Sequence, residues 1–159
     1  MINDKELLEK LVKIDELVEH VKNIIEDEGG EVTYTVGYNR GRGEIQFWFD
    51  EPLKLPFGLY TVITFNVDQG LGYTDTVYNL TLFKGFMNSE EFEDVKNLAN
   101  VINERLKNVY CEAYRTSLES GGGIECNIYS VESLVTVFRE VLELIKTWKR
   151  KWIKEGIVK

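Results

Sequence analysis

The stretch VTYTVGYNRGRGEIQFWFD, residues 32–50, limits the fold more than any other feature of the chain. Val32, Tyr34, Val36 and Tyr38 alternate with Thr33, Thr35 and Gly37, and Ile45, Phe47 and Phe49 alternate with Glu44, Gln46, Trp48 and Asp50. Side chains of a strand point to opposite faces in turn, so each run has one apolar face. Pairing Tyr38 with Ile45, Val36 with Phe47 and Tyr34 with Phe49 puts both apolar sets on one side. That register leaves Arg40-Gly41-Arg42-Gly43 as the hairpin loop, with glycines free to take positive φ. An antiparallel sheet with one buried face is therefore required, and something must cover that face.

Three amphipathic helices are available to do so. From Asp4 to about Glu28, Leu7, Leu11, Ile14, Val18, Val21 and Ile25 recur at alternating intervals of four and three, behind a capping-box pair, Asn3 and Glu6, and ahead of Gly29-Gly30. A second helix opens at Asn88, where Asn88 and Glu91 repeat the capping spacing and Met87 and Phe92 are placed as a hydrophobic staple. Its stripe is Phe92, Val95, Leu98, Ala99, Ile102 and Leu106. Ser130 caps the third, which runs to Gly156 with Leu134, Phe138, Val141, Ile145, Trp148 and Trp152 on one side.

Further strands are expected from Leu59 to Asp68 and from Tyr73 to Lys84, with Leu59, Ile63, Phe65, Val67, Tyr78, Leu80 and Leu82 inward. A last hairpin runs from Val109 to Ser117, through a Gly121-Gly122-Gly123 loop, to Ile124–Tyr129. The expected class is α+β in the order α-β-β-β-β-α-β-β-α, a mainly antiparallel sheet flanked by helices. At 159 residues with two prolines and no low-complexity break, one domain spanning 1–159 is expected.

That order resembles the YbjN-type and type III secretion chaperone-like families, most of all along NLANVINERLKNVYCEAYRTSLESGGGIECNIYSVESLVTVFREVLELI. There an amphipathic helix leads into a hairpin and then a long helix. Four strands before the middle helix are closer to YbjN-type members, since secretion chaperones usually have three. The resemblance implies a protein that works by binding other proteins, often as a dimer, without catalytic residues.

The residues offer little chemistry. His20, the only histidine, falls off the apolar stripe of its helix and reads as solvent-exposed, so Ser-His-Asp and Cys-His mechanisms have no support. Cys111 and Cys126 read as small buried hydrophobes on neighbouring strands, the alternative being a redox pair. Glu90, Glu91, Glu93 and Asp94 read as first-turn acids that meet a helix dipole. Asp68 and Asp75 lack the further oxygen ligands of a calcium loop, and the triple glycine precedes a strand rather than a helix. The chain therefore reads as non-enzymatic, with no cofactor and no metal.

Two surfaces could bind a partner. The second face of the sheet would carry Trp48, Tyr60, Val62, Tyr110, Tyr114 and Tyr129 among polar residues, a platform for another protein. The net charge of −8 disfavours broad nucleic-acid binding. It hides a cationic end, however: residues 146–159 hold six basic groups and one acid, against 13 basic and 26 acidic in the other 145. There Lys149, Arg150 and Lys151 surround Trp148 and Trp152 and offer contacts to an acidic partner or a second copy. Arg40 and Arg42 with this tip are the footing of an alternative, a nucleic-acid-binding accessory role. No apolar run approaches a membrane span, and no signal segment precedes the first helix, so a cytoplasmic protein is expected. Scarce Gln and His beside abundant Lys, Glu, Ile and Val is a thermophilic bias.

Overall fold

A computed structural model describes residues 4–27, 34–39, 44–49, 61–69, 76–116 and 120–156. Along these residues run α1 (Asp4–Asp27), β1 (Tyr34–Asn39), β2 (Glu44–Phe49), β3 (Thr61–Gln69), β4 (Thr76–Lys84), α2 (Ser89–Arg105), β5 (Val109–Arg115), β6 (Gly122–Ile128) and α3 (Val131–Lys154). The fold is α+β, in the order expected from the sequence. The capping pair at Asn3 and the glycines after α1 lie outside the described residues, as do Leu59, Tyr60 and the Arg40–Gly43 loop.

All six strands join one antiparallel sheet in the order β1-β2-β3-β4-β6-β5. The first hairpin takes the register its alternation requires: Tyr34 opposite Phe49, Val36 opposite Phe47, Tyr38 opposite Ile45. One face of the sheet then carries Ile63, Leu80, Leu82, Ile124, Cys126 and Ile128, each with no exposed surface. These residues share one core with Val21, Ile24 and Ile25 of α1, Val95, Ala99 and Ile102 of α2, and Leu134, Phe138, Val141 and Ile145 of α3. The three helices therefore lie on the same side, with α1 against β2 and β3, α2 against β5 and β6, and α3 against β4 and β6.

Helix starts follow the capping residues. Asn88 accepts from the Glu91 N–H and Glu91 accepts from the Asn88 N–H, at 2.8 and 3.1 Å, closing a reciprocal box. Met87 is buried just before it, in the staple position. Ser130 accepts from the Ser133 N–H, and α3 gives way to Gly156 at φ +76°, a left-handed conformation glycine adopts without strain.

Two sequence expectations are corrected here. Gly122 and Gly123 are strand residues, not loop. A Cβ at Gly123 would sit 1.7 Å from the Leu82 carbonyl oxygen, and one at Gly122 would sit 2.5 Å from that of Tyr114. Backbones on both sides of β6 come too close for any larger residue. The cysteines are the second correction: Cys111 and Cys126 are directly opposite each other and form a disulfide, with Cα atoms 4.1 Å apart. That separation suits a pair that exchanges no backbone hydrogen bonds. The free N–H and C=O of Cys111 instead bond to the Asn103 side chain of α2, each at 2.7 Å. Asn103 thus closes the middle of an edge strand that would otherwise present bare backbone. A disulfide also weakens the premise of the cytoplasmic expectation, because such bonds persist mainly in oxidising compartments or in hyperthermophile interiors. Among the described residues no helix is long and apolar enough to cross a membrane.

Candidate functional site

With the helices on one side, the other side of the sheet can be followed strand by strand. Thr35, Trp48, Val62, Phe83, Gly123 and Tyr114 are successive partners across all six strands, so they form a single row. Two residues along lies Gly37–Gln46–Thr64–Thr81–Glu125–Glu112, and the third row ends in Asn79, Asn127 and Tyr110. Trp48, Val62, Tyr114 and Tyr110 of the expected face therefore do lie on one side of the sheet, while Tyr60 lies outside the described residues. Trp48 is 40% exposed, Tyr110 57% and Tyr129 55%.

The face has two parts. Toward one end, Val62 is buried between Trp48 and Phe83, and Tyr114 lies half-buried over Gly123. Glycine leaves room for the ring to cross β6, so that the phenol donates to the Leu82 carbonyl at 3.2 Å. Burial, with the Glu125 carboxylate nearby, pushes its pKa up to about 12. Toward the other end the surface is polar. The Asn79 side-chain amide donates to Asn127 Oδ1 at 2.8 Å and to Glu125 Oε1 at 3.4 Å, and Thr81 donates to Asn79 Oδ1 at 3.1 Å. Glu112 and Glu125 are exposed and directly opposite each other. Tyr110 stands opposite Asn127, and Tyr129, whose N–H donates to the Asn108 carbonyl, extends the same edge.

The other expected surface is corrected. Trp148 and Trp152 are only 1% and 6% exposed, and their rings pack 6.4 Å apart inside the core. They are no contact surface, because the apolar stripe of α3 simply continues through them. Trp148 Nε1–H donates to Asp94 at 3.1 Å. One of the basic residues around them meets an acid that opens α2. Lys151 pairs with Glu90 at 2.7 Å, and that carboxylate raises the pKa of Lys151. Lys146 pairs with Glu143 at 3.1 Å, and Lys149 and Arg150 also have partners within the chain.

Beneath this clasp Lys84 is fully buried at the end of β4. Its ammonium donates to Glu91 Oε1 at 3.3 Å and to the Phe86 carbonyl, and lies 5.0 Å from the Trp152 ring. Glu91 Oε2, 3.2 Å from the ammonium, adds charge attraction without hydrogen-bond geometry. Arg115 donates to the Met87 carbonyl at 2.6 Å and covers the Phe92 ring at 4.6 Å. Glu90 and Asp94 of α2 thus meet Lys151 and Trp148 of α3 in one intramolecular joint, which no reading of either segment alone could show.

His20 is exposed, as its helical position requires. Arg40, Arg42 and Tyr60 lie outside the described residues. Phe83, Asn79, Thr81 and Glu125 belong to the face but escaped the sequence reading. Their signal was the alternation in β4 and β6, whose neighbourhood needed the strand order. No family model matches the chain, and no curated protein matches it.

Proposed function

We propose that this chain is a non-enzymatic protein-binding module, chaperone-like or adaptor in kind, whose working surface is the face of the sheet opposite the three described helices. The observation that carries the reading is the exposure of Trp48, Tyr110 and Tyr129 on that face, while the opposite face is filled by three helices. Aromatic side chains on paired strands offer large contact area with few rotatable bonds to freeze. The bonded amides and threonine between them give directional contacts without filling the surface. The resemblance to YbjN-type proteins, which act by binding other proteins, supports the same reading.

The test is site-specific photocrosslinking in extracts of the source cells, with benzoylphenylalanine placed at Tyr129 and, as control, at exposed Val101 of α2. Discrete protein adducts at residue 129 and none at residue 101 are expected. Absence of adducts at 129, or an equal pattern at both, would overturn the reading.

The proposal includes a homodimer whose contact lies away from this face. Phe86 and Ile153 are exposed apolar side chains, the first in the turn after β4 and the second near the end of α3. Sedimentation velocity over a wide concentration range checks this: a strict monomer removes the dimer and leaves the face. The nucleic-acid alternative loses support at the cationic tip, where Lys146 and Lys151 are paired with acids of the same chain.

A further inference from the structure

We infer that the polar end of the open face receives a cationic segment of another polypeptide, gripped by Glu112 and Glu125 beside Tyr110 and Tyr129. This deepens the protein-binding reading and rests on it.

The two carboxylates stand on adjacent strands as direct partners, both exposed. Among the described residues neither meets a basic side chain. Like charges placed opposite each other on a sheet repel, and an ammonium or guanidinium between them turns that repulsion into attraction on both sides. The Asn79 amide reaches Glu125 and is itself held by Asn127 and Thr81, so one carboxylate is pre-positioned rather than loose. Tyr110 precedes Glu112 by two residues along β5, and Tyr129 lies four residues beyond Glu125 along the line of β6. Phenol rings attract cations over their faces. On β5 the two anchors thus stand about 6.6 Å apart, the spacing of every second residue in an extended peptide, and on the line of β6 about twice that.

Charge also selects the class of occupant. The described part of this face carries no lysine or arginine, so phosphate has no counter-charge there. A second copy is a poor occupant: Lys146 and Lys151 at the end of its α3 are paired with acids of their own chain, and face-to-face packing would bring four glutamates together. The edge of β5 is closed at its centre by Asn103, so the partner lies on the face rather than adding a strand there.

The experiment measures fluorescence anisotropy of a short labelled peptide alternating lysine with serine, against the full chain at low salt. Three double variants are compared: Glu112→Gln with Glu125→Gln, Tyr110→Ala with Tyr129→Ala, and a control at exposed Glu16→Gln with Glu19→Gln of α1. The expected result is weakening of about tenfold in the glutamate pair, several-fold in the tyrosine pair, and about twofold or less in the control. Absence of binding by the unmodified chain, or equal weakening in the control, overturns the inference, since general acidity would then explain any affinity. The same peptide built with glutamate in place of lysine is expected not to bind, and its binding would also overturn the cationic assignment. If the lysine peptide fails while crosslinks persist at residue 129, the face remains a protein-binding surface and only the chemistry of its partner is wrong.

Discussion

At the joint between the start of α2 and the end of α3, charges come in opposed pairs; on the open face of the sheet they come in a like pair. Lys84 meets Glu91 and Lys151 meets Glu90, and even the Trp148 indole finds the Asp94 carboxylate. Glu112 faces Glu125. The difference follows from solvent. At the heart of the joint, burial strips Lys84 and Glu91 of hydration, and either charge left unpaired there would cost several kcal/mol, about what holds a domain together, whereas the Lys151–Glu90 pair at its rim stays hydrated. On the face, water screens the repulsion, so the fold tolerates it. Complete pairing is what architecture requires. An exposed charge left with its own kind is free to serve something outside the chain.

The sharpest way to break this comparison is at the joint. Glu91→Gln keeps an oxygen to cap Asn88 but removes the charge facing buried Lys84, and unfolding in urea should show a loss of about 3–5 kcal/mol. Replacing both partners, Lys84→Met with Glu91→Leu, should restore much of that loss, because two well-packed apolar groups need no hydration. A loss under about 1 kcal/mol for Glu91→Gln would mean that the pair is not what secures the joint.

Next in size is the disulfide. Cys111 and Cys126 are 15 residues apart, and closing a loop of that length restrains the unfolded chain by about 3 kcal/mol. Urea curves with and without reductant should differ by about that amount. The native chain should also show no titratable thiol until it is unfolded in reductant. Rapid native labelling of both cysteines would contradict the bond.

These two tests bear on the parts of the molecule that sequence could and could not disclose. The first hairpin was legible to the residue, because a period of two on both strands admits only one register with a shared apolar face. The cap at Asn88, the cap at Ser130 and the end at Gly156 were legible because each is decided by neighbours within four residues. The pairing of β4 with β6 was not, since it joins strands separated by α2 and β5 and has no local signature. Everything that depends on that pairing was hidden with it: the Asn79–Asn127 bond and the row from Trp48 to Tyr114. The cationic tip was misread for a related reason. Six basic groups within 14 residues look like a free surface until Glu90, more than 50 positions earlier, is brought alongside Lys151.

A smaller effect belongs to Tyr114, on the border between the apolar and acidic parts of the face. Its folded pKa of about 12 lies above the ordinary 10.0, so the neutral phenol is favoured by folding. The stability it contributes is complete below pH 10 and falls away as pH rises toward 12, because the unfolded chain gives up this proton first. Spectrophotometric titration should show one tyrosine ionising late, and Tyr114→Phe should remove that phase at a cost of about 0.5–1.5 kcal/mol at neutral pH. An unchanged late phase in the variant would assign it to another phenol.

The smallest expected effect has the opposite sign, and that makes it the most discriminating. Glu112→Gln should stabilise the chain by about 0.2–1 kcal/mol at low salt, since it removes a repulsion without removing a partner. Glu125→Gln should do the same less the value of its contact with Asn79. The two changes together should gain less than their sum, because either one already abolishes the shared repulsion. Raising the salt should shrink all three gains, as screening does the work of the substitution. Destabilisation by Glu112→Gln, or gains that add fully and ignore salt, would show that the two carboxylates do not feel each other. The opposition between joint and face would then be one of burial alone, and the case for a cation between the glutamates would go with it.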